Sequence, residues 1–315
     1  MTASAPVATL PEPAIPVIPE PPSRSAFFFV RWWRNPWRKP RILESLTWLY
    51  LLWSLLPVAI AVLFSFNAGK SRVTWQGFSM RWYYKDPNLS VWNDPELHTA
   101  LIHTLLLGVV TTVITIPLGV AFALGLDRWH GRLPRFWNFQ MLLSFVVPEI
   151  VFGVSLLFVA TQLATPLKAG TWGQVLGLVT FQLSYPVIIV RARLLTIGKQ
   201  YEEAAADLGA SRIDALRRVL LPLLYPAIFA STVLVFADVI DDFVIVRYLS
   251  SGSSTEPVAV KIYDTARGAP TPALNALATL LLVFSFGAIV VGYAGYKLLS
   301  RGQGESGIGS FAGQV

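Results

Sequence analysis

The chain has 315 residues, of which 54% are hydrophobic and only 14% charged, and its mean hydropathy is +0.56. That balance excludes a soluble domain and points to a protein that crosses a membrane several times. Zero cysteines exclude disulfides and thiolate chemistry; the net charge of +7 lies in short basic runs beside apolar segments, where it reports topology and not nucleic acid.

Residues 1–30 carry seven prolines between Pro6 and Pro22 and almost no charge, the composition of a disordered or polyproline tail. They lack the basic start and compact apolar core of a cleaved signal peptide. The run RWWRNPWRKPR (31–41) mixes Trp with Arg and suits the lipid headgroup zone, so residues 1–44 form a tail plus an interfacial anchor. Six apolar segments follow, at about 45–66, 99–126, 139–162, 174–195, 224–247 and 273–297, each near the ~20 residues a helix needs to span the hydrocarbon. The expected fold is all-α with six transmembrane helices: a first span at 45–66, a loop at 67–98, a core at 99–297 and a tail at 298–315. Pro57, Pro117, Pro148 and Pro186 are tolerable where neighbouring helices re-satisfy the backbone.

Charge orients the bundle. The N-terminal segment, the 128–135 loop, the stretch 191–218 and the C-terminal tail hold 17 of the 25 Lys and Arg residues, and the other side holds 8. The excess places both termini and residues 201–222 in the cytoplasm and the loops at about 67–98 and 248–272 outside.

The stretch from Tyr201 to Pro222, YEEAAADLGASRIDALRRVLLP, is the polar exception between two spans. Glu203, Ala204 and Ala205 favour a helix, and Gly209 supplies the left-handed residue that ends one. Ser211, three residues before Asp214, opens a second helix, whose Arg212, Arg217 and Arg218 alternate with Ile213, Leu216, Val219 and Leu220. The pattern reads as helix, Gly turn, helix at a membrane surface, with a plain basic loop as the alternative.

No enzyme motif stands out. Gly69-Lys70-Ser71 resembles the end of a phosphate-binding loop, but Phe64 occupies the place of the first glycine. His98, His103 and His130 have no metal-ligand spacing. The unusual feature is acid within the fifth span, FADVIDDFVIV, where Asp238, Asp241 and Asp242 at i, i+3 and i+4 share one face of a continuous helix with Cβ atoms roughly 5–6 Å apart. A carboxylate in hydrocarbon costs about 2.5–3.5 kcal/mol even on the gentler scale, so these acids call for a cation, a wet cavity or a partner. Glu149, directly after Pro148 in the third span, is a further acid at depth, and the broken turn there exposes backbone carbonyls. A hydrated outer interface, pairing with Arg247 or a neighbouring subunit's basic residue, or service as a proton relay in a secondary transporter accounts for the same acids.

Glu203-Ala204-Ala205, Gly209 and Leu221-Pro222 together resemble the cytoplasmic "EAA" loop of ABC-importer permease subunits. The resemblance implies that 201–222 is a coupling helix docking on a separate ATPase dimer. ATP and Mg are then bound there and not by this chain, which itself catalyses no reaction. It also implies a type I permease fold in a bacterial inner membrane, a second permease subunit and an extracytoplasmic substrate-binding protein. More narrowly, PEIV (148–151), Asp241-Asp242, Lys261-Ile262-Tyr263 and Asn275 to Thr279 look like the second permease of spermidine/putrescine importers. This likeness implies a polyamine cargo whose ammonium groups meet Asp241, Asp242 and, in the same region, Asp238 and Glu149; another cationic cargo remains the alternative. Asp238, Arg247, the Pro-rich tail and the Trp/Arg segment fall outside it.

Overall fold

The computed structural model describes residues 41–71, 73–128, 136–137, 139–141, 143, 146–162, 169–268 and 271–300. The Pro-rich tail, the Trp/Arg segment through Pro40, Arg72, His130 with Arg132 and Arg135, Lys168 and the tail beyond residue 300 lie outside them. The chain divides into two units at Leu56 and Pro57. The described part of the first is residues 41–56, the opening of helix α1 (Arg41–Ser65). Trp48, Leu49 and Trp53 are exposed on it, as befits a surface that meets lipid.

The second unit holds the other elements. In order they are α2 (Pro95–Arg128), α3 (Glu149–Gln162), α4 (Thr171–Gln182), α5 (Ser184–Ile197), α6 (Gln200–Asp207), α7 (Arg212–Ala215), α8 (Leu221–Asp241), α9 (Val244–Leu249), α10 (Val258–Arg267) and α11 (Pro272–Ser300). π-helical turns lie at Arg81–Lys85 and Leu216–Leu220, and a 3₁₀ turn at Ser253–Thr255. The β-type contact among the described residues is an isolated bridge between Asn67 and Phe78.

Among the described residues, five helices are long and apolar enough to cross a membrane: Ile42–Ser65, Pro95–Arg128, Thr171–Ile197, Arg212–Asp241 and Pro272–Leu298. The expected span at 139–162 takes a different form. Its described helix, α3, has 14 residues, or about 21 Å at 1.5 Å per residue, short of the ~30 Å hydrocarbon. The interruption falls at Val147–Pro148, where proline disfavours helix for the residue before it and offers no N–H. The carbonyl of Pro148 is not left open, for it accepts from Val151 N at 2.9 Å and starts α3.

Helix association in lipid gains little from burying apolar surface, so close packing at small residues carries it. A Cβ on Gly119 of α2 would lie 2.3 Å from Cγ of Pro186 on α5, and one on Gly108 3.1 Å from Phe236 and Ile240 of α8. These approaches draw α2, α5 and α8 into the main core, which includes Leu107, Val190, Leu194, Leu224 and Val235. Thr111 and Thr115 lie fully buried on α2 between those glycines, among the small residues that such contacts favour.

Two ion pairs mark the ends of α2. Glu96 bonds Lys261 of α10 at one end, and Arg128 bonds Glu202 of α6 at 2.6 Å at the other, some 48 Å away along the helix. At the first end the loop 67–94 folds around Trp82, fully buried, whose Nε1 donates to Asn67 O at 2.6 Å. Asp86 accepts from Arg81 Nε at 2.8 Å, Leu89 N at 3.0 Å and Asn88 N at 3.1 Å, and the Arg81 bond chiefly holds its carboxyl below the ordinary 3.8.

Candidate functional site

The fifth span departs from the continuous 224–247 helix that its sequence predicts. Helix α8 ends at Asp241, Asp242 adopts φ −57° and ψ 126°, and the chain resumes as α9 at Val244. No glycine or proline marks this break. Its physical cause lies in the acids: three carboxylates stacked on one face at the negative end of a helix repel one another, and Asp readily leaves a helix to cap the next. Asp242 Oδ1 accepts from Val246 N at 3.2 Å and so supplies the start of α9 with an acceptor and a favourable charge.

The one-face arrangement of Asp238, Asp241 and Asp242 is therefore corrected. Asp242 turns inward and is 8% exposed, whereas Asp238 and Asp241 keep exposed side chains. Glu149, the first residue of α3, lies close to Asp242 across the two chain interruptions, where Gly153 of α3 packs against Val244 and Tyr248. Asp238 Oδ2 accepts from Gln182 Nε2 at 2.5 Å, and half-buried Tyr185 lies near enough to feel the charges of Asp238 and Glu149. The structure thus brings Glu149, Asp238 and Asp242 together and leaves Asp241 exposed beside them. Gln182 and Tyr185 went unremarked in the sequence, although a glutamine inside an apolar run is the signal that would have found them.

Arg247 does not neutralise this cluster. Its Nη1 bonds Asp264 Oδ2 of α10 at 2.6 Å. The acids lie beside α2 near Gly108, which is about 18 Å along the helix from Glu96 and about 30 Å from Arg128.

Two glycines seat α9. A Cβ on Gly153 of α3 would come within 2.9 Å of Tyr248, and one on Gly177 of α4 within 2.9–3.0 Å of Leu156, Leu249 and Ile245. A buried polar node fixes its far end: Gln174 Nε2 donates to Val246 O, Ser250 Oγ and Thr255 O at 2.8–3.1 Å. Its Oε1 faces His103 Nε2 at 2.8 Å, so that ring nitrogen carries the hydrogen. His103 is 8% exposed, inside the bundle.

At the other end of α2 stand the helices of 201–222. Gly209 has φ +82°; Ala210 N bonds Ala205 O at 3.0 Å and Gly209 N bonds Ala206 O at 2.9 Å, the paired bonds of a glycine-ended helix. Ser211 Oγ accepts from Asp214 N at 3.2 Å and opens α7. Glu203 and Ala204 are exposed, Ala205 is buried, and Leu221 and Pro222 are half-buried. Residues 212–241 run as one helix through Pro222, and the π turn at Leu216–Leu220 takes up the backbone mismatch that a proline without an N–H introduces. The helix pair and the acids are consequently the two ends of one rod.

A cavity of about 500 Å³ between α2, α8 and α11 is lined by Val109, Val113, Ile228, Phe229, Phe236 and other mostly apolar residues, so it offers a cation no counter-charge. A second, of about 360 Å³, adjoins the helix pair and is lined by Asp127, Arg128, Glu202, Glu203 and Arg212 among others.

Residues 115–304 match the family profile described as the binding-protein-dependent transport system inner membrane component. The chain belongs to this family. The permease is 34% identical to the spermidine/putrescine transport system permease protein PotC of Escherichia coli K12 over 235 residues, 75% of this chain and 86% of that one. It is 31% identical to the putrescine transport system permease protein PotI of the same organism over 278 residues, 86% and 93% of the two chains. Its fold matches a bacterial ABC transporter involved in alginate import with a TM-score of 0.66 at 13% identity, covering 86% of this chain and all of that one. The methionine ABC transporter MetNI in an inward-facing form gives 0.53 at 19% identity, over 65% and 94%. The permease is a multi-pass inner-membrane transport component and not a chemical catalyst.

Proposed function

We propose that this chain is one of two permease subunits of an ATP-driven importer whose cargo is a cationic amine of the polyamine class. The observation that carries this reading is the packing of two interrupted spans, α3 on α9 through Gly153, which brings Glu149 and Asp242 to the breaks with Asp238 and Asp241 on the adjoining helix. A cation 4 Å from one carboxylate gains about 4 kcal/mol at an effective dielectric of 20, more than the cost of placing that carboxylate in the membrane. A neutral or anionic cargo would gain nothing there. The names of the 31–34% identical relatives, all polyamine permeases, support the same class.

In this reading both termini and residues 201–222 face the cytoplasm, where a separate ATPase dimer binds ATP and Mg. Exposed Tyr201, Leu208 and Ile213 give the ATPase an apolar surface, with Glu203 beside it and Gly209 setting the angle. Closure of the dimer moves the helix pair, and the rod from Arg212 to Asp241 carries that motion to the acids. The binding protein delivers cargo at the opposite end, over the loop 67–94 and α10. Binding of the purified cognate binding protein to a panel of amines, followed by uptake into proteoliposomes holding the complete transporter, tests the proposal. Polyamine binding and uptake that needs ATP and survives a protonophore are expected. Uptake abolished by the protonophore but not by omission of ATP would replace it with proton-coupled transport.

A further inference from the structure

Helix α10 reaches from the end of α2, where Lys261 meets Glu96, to the break, where Tyr263 meets Phe243. Two successive residues of α10 hold two positions of the broken span. The Tyr263 ring packs on Phe243, the residue next to Asp242, with centroids 4.8 Å apart, and the Asp264 carboxylate binds Arg247, four residues further on, at 2.6 Å. The other partner of Tyr263 is again a guanidinium: Cζ of Arg267 stands 4.2 Å from its ring centroid. A ring face and a carboxylate on successive residues, each holding a cation, are the two elements by which proteins recognise an alkylammonium group.

We propose that Tyr263 and Asp264 form an outer subsite for the ammonium groups of the cargo, and that Arg267 and Arg247 fill it as tethered stand-ins when no cargo is present. The proposal rests on the cationic cargo read above and adds where that cargo is first held. An ammonium takes the place of a guanidinium at each partner, so Asp264 keeps a counter-ion, while the displaced guanidiniums turn to the water that already reaches Arg247. The side chains of Arg247 and Asp264 are 41% and 38% exposed, and pairs so open to water are weak enough to exchange. Arg247 has a second effect. Released from Asp264, it frees the face of α9 that follows directly on Phe243 and Asp242, so occupation of the subsite and loosening of the break are one event.

A purely structural tie between α9 and α10 predicts that losing either partner of the Arg247–Asp264 pair has the same effect. A subsite predicts opposite effects, because one partner competes with cargo and the other binds it. The experiment is equilibrium binding of radiolabelled spermidine to the complete transporter in nanodiscs without binding protein, alongside ATP-driven spermidine uptake by the same preparations. Arg247→Gln is expected to tighten binding about two- to fivefold, and Asp264→Asn and Tyr263→Leu to weaken it about two- to fivefold, the range of exposed charge pairs and cation–π contacts. Tyr263→Phe, which keeps the ring face, restores what Tyr263→Leu loses. Shifts of the same sign for Arg247→Gln and Asp264→Asn overturn the subsite, as do unchanged affinities or a complex that transports spermidine without measurable binding. Failure of the wild-type complex to transport any polyamine removes the cargo reading itself and the subsite with it.

Discussion

Gly209 isolates one physical effect with unusual clarity. Its φ of +82° is left-handed, yet a Cβ built on it meets no heavy atom within 4 Å. Any penalty for a side chain there is therefore backbone strain and not a clash. An L-residue in this region costs roughly 1–2 kcal/mol, Asn less because it tolerates the left-handed form, and a β-branched residue the most. A penalty of 1–2 kcal/mol lowers the population of the bent helix pair by a factor of about 5–30. Coupled uptake should fall in the order Gly, Asn, Ala, Val, with Gly209→Val reduced at least fivefold and Gly209→Asn near wild type. The assay is ATP-driven uptake in proteoliposomes, normalised to the permease present in the membrane. Equal activity of the Val and Gly forms, or an Asn form as poor as Val, would refute the claim that this angle transmits motion.

Other substitutions probe other links. Gly177→Val should dislodge α9, since its Cβ would stand 2.9–3.0 Å from Leu156, Leu249 and Ile245; the loss should appear as a lower melting temperature of the detergent-solubilised protein and lost uptake, whereas exposed Gly287→Ala should leave both unchanged. Reversing Glu202 to Arg should weaken the tie to Arg128, and a double exchange with Arg128→Glu should recover it, with a coupling of about 0.2–1 kcal/mol for so exposed a pair in a double-mutant cycle of thermal stability. Asp86, held below its ordinary 3.8, stabilises the loop 67–94 above that pH, and its contribution is lost as pH falls through the depressed value. Hydrogen exchange of residues 81–93 should accordingly quicken in Asp86→Asn at pH 7 and in the wild type only in strong acid.

Local chemistry explains which features the sequence made legible. Gly209 and Ser211 act through their own backbones, so the turn and the second helix could be placed from composition alone. The long apolar runs at 99–126 and 273–297 likewise carry their span in every residue. The break at Asp242 is different: no glycine or proline announces it, and it exists because the acids repel and because α9 finds a seat between Gly153 and Gly177. Those two glycines lie 89 and 65 positions before Asp242 in the chain. The 71 positions between His103 and Gln174 hide that node in the same way, and even the 17 between Arg247 and Asp264 correspond to no helical period. The acids themselves were legible because charge in an apolar span is costly wherever it points; which of them turned inward was not.

The central claim is that carboxyls at the two interrupted spans hold a cation. Glu149→Gln and Asp242→Asn test it most directly, because each removes a charge while keeping an oxygen that can accept the same hydrogen bond, including the one from Val246 N. Equilibrium binding of labelled spermidine to the complete transporter should weaken roughly tenfold for each variant, about 1.4 kcal/mol, and about twofold for exposed Asp241→Asn. Affinity and uptake unchanged in both Glu149→Gln and Asp242→Asn would contradict the account.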